Sequence, residues 1–248
     1  MSVNIEHVTS CESTNSELAS RLTAPHGTAV VTHEQTAGRG QRGNTWESEP
    51  GANAIFSVLI RRNIPVAEQF RLSMIVSLAI KESIDAELAA LGSERRATIK
   101  WPNDIYVGDE KICGILIENI LRGNTIHRAI VGVGINVNQT RFVSDAPNPT
   151  SIALLTGDKI ALDGFVENVV KAIVERFDSY MEAPDPVLLK EEYMKSLMWT
   201  EGSHPFNDDF HGDFMAHITD VDYDGTLTLS NGAQYAFKEV TFLVPSNH

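Results

Sequence analysis

The sequence is short of cations, cysteines and membrane-length apolar runs. Lys and Arg number 20 against 33 Asp and Glu, for a net charge of -13. That balance argues against wide nucleic-acid contact, which needs a basic face to replace phosphate counterions. The only two cysteines, Cys11 and Cys113, cannot make a disulfide framework. Cys113 sits in an apolar run and reads as a buried free thiol. The eight histidines are scattered, with no HExxH pattern and no Cys/His spacing typical of zinc, so no metal ligands are assigned. No hydrolytic triad emerges from the spacing. No stretch is long and apolar enough to span a bilayer, and the N-terminus lacks a basic segment followed by an apolar one. The expected location is the cytoplasm, away from membranes. Repeats and low-complexity tracts are absent as well.

What is present suits an ordinary globular protein. A chain of 248 residues, 42% hydrophobic and 21% charged, can bury a substantial core in one large domain or two unequal ones. Thr14-Asn15-Ser16-Glu17 fits a capping box that opens a helix to about residue 22. Strands are expected at 27–32, 54–60, 97–101, 111–118 and 126–137. A long amphipathic helix is expected at 68–91, stopped by Gly92. A short helix follows at 151–156. Asp163 is read as the cap of another helix, with Val166, Val169, Ile173, Phe177 and Tyr180 as its apolar stripe. A last helix is expected at 187–199. Beyond Gly202 come short alternating segments with turns at Asp224-Gly225 and Asn231-Gly232, the mark of a small antiparallel barrel docked on the rest.

Two glycine-broken segments carry the chemistry. The first is Gly38-Arg39-Gly40-Gln41-Arg42-Gly43-Asn44-Thr45-Trp46 and the second Lys100-Trp101-Pro102-Asn103-Asp104. Glycines let a backbone approach a ligand and present its N–H groups, while arginine forks bind carboxylate or phosphate oxygens. The first segment therefore reads as an anion-binding loop, although it matches neither the P-loop nor the dinucleotide fingerprint. A third piece, Lys111-Ile112-Cys113-Gly114-Ile115-Leu116-Ile117-Glu118, follows shortly after.

In their order and spacing these segments resemble the biotin protein ligases. The likeness extends to Ser13-Thr14-Asn15, Asp104-Ile105-Tyr106 and Gly132-Val133-Gly134-Ile135-Asn136-Val137-Asn138, and to the β-rich tail. It implies an α+β fold: residues 1–200 as a biotin- and ATP-binding catalytic domain with a mixed sheet and flanking helices, then 201–248 as an SH3-like barrel. It also implies an enzyme that joins biotin to ATP as biotinyl-5′-AMP and passes the acyl group to a lysine of a biotin carboxyl carrier domain. Mg²⁺ would enter with ATP, held largely by phosphates and water. Some family members carry an N-terminal DNA-binding domain and act as repressors. Because Ser13 opens the first motif, this chain is expected to be the short enzymatic form, without DNA contact. Homodimers that extend the central sheet occur in the family.

The resemblance also assigns roles. Two anions must meet in the first step, so cations and backbone N–H groups must offset their repulsion. Lys111 is the first choice for the catalytic cation, between biotin carboxylate and α-phosphate; the alternative is an exposed lysine in a turn. Arg39 is expected to close over the ligand, and Arg42 to contact the adenylate or order the loop. Ser13, Thr14, Asn15 and Gln35 match the residues around the biotin ureido ring. Gly38, Gly40 and Gln41 lie on the same loop, and Ser57, Gly114 and Ile115 line the slot for the thiophane ring and tail. Gln41 departs from an arginine found in several ligases: it keeps a hydrogen-bond donor but loses the charge. On the nucleotide side stand Trp46, stacked on adenine or else an ordinary core aromatic, with Lys100, Asn103, Asp104 and Asn136. A lipoate-protein ligase and a non-catalytic biotin-binding regulator are the rival readings.

Overall fold

A computed structural model describes residues 3–40, 45–143 and 148–245. The chain forms β1 (Asn4–Val8), α1 (Thr14–Ser20), β2 (Thr28–Thr32), β3 (Ala54–Ile60), β4 (Ile64–Pro65), α2 (Gln69–Ala90), β5 (Ala97–Lys100), β6 (Asp104–Val107), β7 (Glu110–Arg122) and β8 (Thr125–Ile135). It continues as α3 (Ile152–Thr156), α4 (Leu162–Glu182), α5 (Pro186–Ser196), β9 (His204–Asp208), β10 (Gly212–Ala216), β11 (Ile218–Val221), β12 (Leu227–Leu229), β13 (Gln234–Tyr235) and β14 (Thr241–Phe242).

Strands β1 to β8 make one sheet in the order β1-β2-β3-β8-β7-β6-β5, with β4 beside β8. The β1–β2 pair is parallel and its other pairs are antiparallel, so the sheet is mixed as expected. Alternation along the strands divides its faces. Phe56, Val58, Val131, Val133 and Ile135 join the main apolar core with helices α2 and α4. Val30, Leu59 and Ile130 turn to the other face and bury Leu18 of α1. Only part of that second face is covered by α1; the rest is the floor of a cleft.

The helix at 68–91 departs from its expected amphipathic form. Seven successive residues of α2, Met74 to Ile80, are buried, so no wet face exists at its middle. The reason is tertiary: α2 touches β5 and β6 as well as α4 and α5. Two caps also differ from expectation. Ser13, not Thr14, is the N-cap of α1 and makes no side-chain cap bond, because Thr14 is the first helical residue and turns its polar atoms elsewhere. Glu17 pairs with Arg21 rather than closing a capping box. The residue before α4 is Ala161, and Asp163 lies in the first turn, where its charge faces the positive end of the helix dipole. Strands β1 and β6 were not anticipated; both are short and of mixed polarity.

Two three-stranded sheets, β10-β9-β14 and β11-β12-β13, close the chain and fit an SH3-like barrel. Both expected turns form. At Asn231-Gly232 the Gly232 N–H donates to the Leu229 carbonyl, and at Asp224-Gly225 the Gly225 N–H donates to that of Asp222. Gly225 is required twice over. Its φ is 96°, and a Cβ there would stand 2.8 Å from the Phe70 ring of α2. Its carbonyl accepts the Trp101 indole N–H at 3.1 Å, and Trp101 also meets the Phe237 and Phe242 rings. The barrel thus shares its apolar cluster with the main sheet. Cys113 is buried and Cys11 half-buried, both free; burial pushes both thiols up. No helix among the described residues is long and apolar enough to cross a membrane.

His26 joins the segment before β2 to α4. Its Nδ1 accepts the Arg61 N–H at 3.0 Å, so Nε2 carries the proton toward Asp178 Oδ1, also at 3.0 Å. Burial lowers its pKa despite the Asp178 charge, with Arg62 acting in the same direction as burial. A folded pKa below the unfolded value means that the unfolded chain binds the extra proton first. Stability from this site should therefore be complete above the ordinary histidine pKa of about 6.5 and fall as pH drops from there toward the lower folded value. Urea denaturation of the wild type and of His26→Gln between pH 5 and 8 measures this; an equally steep pH slope in His26→Gln would refute it.

Candidate functional site

The cleft on the open face of the sheet has a volume of about 990 Å³. Its floor is made by pairing register. Gly114 of β7 lies opposite Gly134 of β8, and Leu116 opposite Gly132. Three glycines side by side strip that surface of Cβ atoms, and neighbours use the space. A Cβ on Gly132 would fall 2.3 Å from Asn15 Oδ1, one on Gly134 2.4 Å from the Trp46 ring, and one on Gly114 2.8 Å from the same ring. Gly132 and Gly134 had been quoted only as part of a motif. Their period of two was the available signal that both face one side.

One end of the cleft is polar and neutral. The strip from Cys11 to Ala37 is sewn together by Cys11 N–H to Glu34, Thr36 N–H to Cys11 and Ala37 N–H to Glu12. This sets Gln35 against the start of α1, where Gln35 Oε1 accepts both the N–H (2.8 Å) and the hydroxyl (3.2 Å) of Thr14. Ser57 Oγ lies 2.7 Å from Thr14 Oγ1 and 2.6 Å from Asn15 Oδ1. The amide oxygen has no proton, so Ser57 must donate to it. Asn15 Nδ2 in turn donates to Glu118 Oε2 at 2.7 Å. Ser13, Thr14, Asn15 and Gln35 line the cleft, whereas Ser57 is fully buried behind Thr14 and Asn15. A chain of fixed dipoles results, with the second lone pair of Asn15 Oδ1 left to accept.

The other end is charged. Lys100 of β5 pairs with Asp104 of β6, and Tyr106 with Lys111 of β7. Counting back from Gly114 by simple alternation would turn Lys111 to the packed face. A register shift between Ile105 and Tyr106 returns it to the cleft. Its Nζ donates to Asp104 Oδ2 at 2.6 Å. The Lys111 backbone is clamped by its N–H to the Asn148 carbonyl and by the Thr150 N–H to its own carbonyl. Lys100 Nζ lies 5.5 Å from the Tyr106 ring and 5.2 Å from that of Phe242. Burial lowers the Lys100 pKa, Asp104 opposes that effect and Lys111 adds to it. Burial raises the Tyr106 hydroxyl well above its ordinary value, helped by Asp104.

Between the two ends, Arg39 pairs with Thr45 in an isolated bridge, and the Trp46 N–H donates to the Gly38 carbonyl. These contacts bring Trp46 over the glycine floor. Its indole Nε1 is buried without a partner among the described residues, as is Asn136 Oδ1, and both residues line the cleft. Arg39 points away from the lysines, donating to Ser16 Oγ and Glu118 Oε2, each at 3.2 Å. Glu118 was quoted in a motif without a role and holds both Asn15 and Arg39.

The cleft therefore gathers Ser13, Thr14, Asn15, Gln35, Arg39, Gly40, Trp46, Lys100, Asn103, Asp104, Lys111, Gly114, Ile115 and Asn136 from the expected set. Gly38 stands behind the lining. Ile115 lines the cleft and also belongs to the main core, and its carbonyl accepts the Asn103 amide at 3.4 Å; Leu116 lines the slot beside it. Gln41 and Arg42 lie outside the described residues. Sequence reasoning missed the contribution of the C-terminal barrel: Phe237, Lys238, Val240, Thr241 and Phe242 form one wall.

Known proteins resemble both this sequence and this fold. Residues 6–136 match the biotin/lipoate A/B protein ligase family. The bifunctional ligase/repressor BirA of Bacillus spizizenii is 32% identical over 229 residues, covering 90% of this chain and 67% of that protein. The biotin–[acetyl-CoA-carboxylase] ligase of Paracoccus denitrificans is 29% identical, covering 70% of this chain and 74% of its own. Among solved structures, the biotin protein ligase of Aquifex aeolicus in complex with biotin and ATP shares the fold, with a TM-score of 0.74 at 22% identity over 98% of this chain and 96% of that one. The chain belongs to the biotin/lipoate A/B protein ligase family.

The ring of Trp46 on a Cβ-free floor is directly testable. Gly134→Ala puts a methyl group where the indole lies, so the ring must lift into solvent. The tryptophan emission should shift to the red, and the same change in a Trp46→Phe background should leave the spectrum of that background unaltered. An unshifted spectrum in Gly134→Ala would show that Trp46 does not rest on Gly134.

Proposed function

We propose that this protein is an ATP-dependent biotin–protein ligase, which forms biotinyl-5′-AMP and transfers the acyl group to a lysine of a biotin carboxyl carrier domain. The observation that carries this reading is the sequence of chemistries along one cleft. Fixed polar groups at Thr14, Asn15 and Gln35, held from behind by Ser57, give way to a glycine floor, and that floor leads to Lys111, Asp104 and Lys100. Biotin has a ureido ring at one end, an apolar ring and tail, and a carboxylate at the other. Lipoate has no ureido group, so the hydrogen-bonded end of the cleft would face its disulfide ring with nothing to bind. This favours biotin within the family.

In the first step a carboxylate oxygen attacks the α-phosphorus and the bond to the β-phosphate bridge breaks. Lys111, near both groups, offsets the charge on the five-coordinate phosphorus. Asp104 holds its ammonium in place until the anions arrive. Asn136 Oδ1, buried and unpartnered, is an acceptor suited to the adenine amino group. Trp46 covers the adenine once it leaves the floor. Arg39 exchanges Glu118 for the ligand anion. Asn103 and Asp104 are the protein oxygen donors beside the phosphates that would help hold a Mg²⁺ bound to ATP, which would offset phosphate charge. In the second step the carrier amine attacks the acyl carbon and AMP departs.

We propose that the enzyme is cytoplasmic; its acidic balance supports an enzyme that does not bind duplex DNA. We propose residues 1–200 as the catalytic unit and 201–248 as the barrel that completes its cleft. A homodimer formed through the outer edge of β1 is compatible with the sheet order, whereas β5 already pairs at Ile99 with Leu197.

ATP–pyrophosphate exchange measures the first step alone. Exchange should depend on biotin and not on lipoate. Lys111→Met should lose about 3 kcal/mol of transition-state stabilisation, more than a hundredfold in rate, while leaving the melting temperature nearly unchanged. Exchange driven by lipoate alone would overturn the substrate, and near-wild-type exchange in Lys111→Met would overturn the role of Lys111.

A further inference from the structure

We infer that Lys238, on the C-terminal barrel, binds the β- and γ-phosphates of ATP and the pyrophosphate that leaves. This inference rests on the acyl-adenylate reading above and adds a residue that the sequence motifs do not contain. Lys238 lies between β13 and β14 and lines the same cleft as Lys100, Asp104 and Lys111.

Three observations converge on it. The first is its backbone: φ is 75°, in the left-handed region where glycine is favoured and a side chain is strained. Asn148 and Trp199 are the other two non-glycine residues with positive φ among the described residues, and neither lines the cleft. A long cationic side chain therefore stands at a position that glycine would occupy without strain.

The second is charge. Lys111 is paired with Asp104 and Arg39 with Glu118, while Lys100 is enclosed between two rings. Lys238 is exposed and has no carboxylate within ion-pair distance among the described residues. The neighbouring carboxylate, Glu239, is spent on the Ala236 N–H at 2.7 Å, which holds the turn. The Lys238 ammonium sits 5.9 Å from the ring of Phe237, itself on the cleft wall.

The third is the reaction. When the α-phosphorus accepts the carboxylate oxygen, the electron pair of the broken bond departs with pyrophosphate. Lys111 is placed for the α-phosphate, so the growing charge farther out needs a second cation. A flexible point charge at the mouth of the cleft meets that need and can release the product.

The test compares Lys238→Gly, Lys238→Ala and Lys238→Arg in the full chain. Glycine removes the charge and relieves the backbone, so its fold is at least as stable as the wild type, which a melting curve checks. KM for ATP in pyrophosphate exchange should rise about tenfold in the glycine and alanine variants, the size of one lost charge-assisted hydrogen bond. KM for biotin should stay within twofold, and arginine should restore most of the ATP affinity. Transfer from pre-formed biotinyl-AMP to the carrier should be unchanged, because pyrophosphate has already left. If the wild type shows no biotin-dependent exchange, the ligase reading itself fails. If the wild type exchanges and Lys238→Gly keeps its KM for ATP within twofold, or raises both KM values equally, the role of Lys238 is overturned.

Discussion

The site depends on one feature of the sheet, the alignment of Gly114, Gly134 and Gly132 on the same face of adjacent strands. Two antiparallel strands bring facing residues within about 5 Å, so three missing side chains make one continuous bare patch. Everything functional is arranged around that patch. Asn15 lies on Gly132, Trp46 on Gly134 and Gly114, and the lysines stand at its far edge. A side chain at any of the three would displace a neighbour that carries chemistry. The opposite face tolerates no such gap. It is packed with Phe56, Val131, Val133 and Ile135 against α2 and α4, and that packing fixes the register on which the bare patch depends.

The electrostatics follow from placing cations in an acidic protein. At a net charge of -13, most of the surface repels a nucleotide. Lys100, Lys111, Arg39 and Lys238 all line the cleft, which makes it the local exception. Two of the four are already paired with carboxylates, so the ligand-free cleft carries less repulsion than four bare charges would. Ligand anions can then replace Asp104 and Glu118 as partners, exchanging one ion pair for another rather than creating charge pairs from bare cations.

Contacts around Trp101 are among those that hold the C-terminal barrel, together with the Lys190–Asp220 ion pair and the Tyr223 hydroxyl, which donates to the Pro186 carbonyl. The indole donates to Gly225, stacks near Phe242 and meets Phe237. Trp101 belongs to the same segment as Lys100, Asn103 and Asp104. One strand end therefore carries both the anchor of the barrel and the charged end of the site, which ties the wall of the cleft to its chemistry.

Much of this was legible in the sequence because it is local. Strands 54–60 and 126–137 are apolar and β-branched, the barrel turns carry Asp-Gly and Asn-Gly, and the glycine-arginine and Lys-Trp-Pro-Asn-Asp segments bring Arg39, Gly40, Thr45, Trp46 and all of Lys100 to Asp104 to the cleft. Reading failed where an outcome depends on a distant partner. Met74 to Ile80 became buried all round because α4 and α5 pack beside them, which helical spacing cannot reveal. Thr14 gave its polar atoms to Gln35, 21 residues on, instead of capping α1. Lys111 reached the cleft through a register shift against β6 that no residue type announces. Lys238 and Phe242 joined the site only because the barrel docks across it. The sequence by itself determined which chemical groups are available and which segments are strands, helices and turns, since those follow from local spacing and backbone preference. Which side chains face one another across the cleft was decided by strand register and barrel docking, because these depend on the summed burial of residues far apart in the chain.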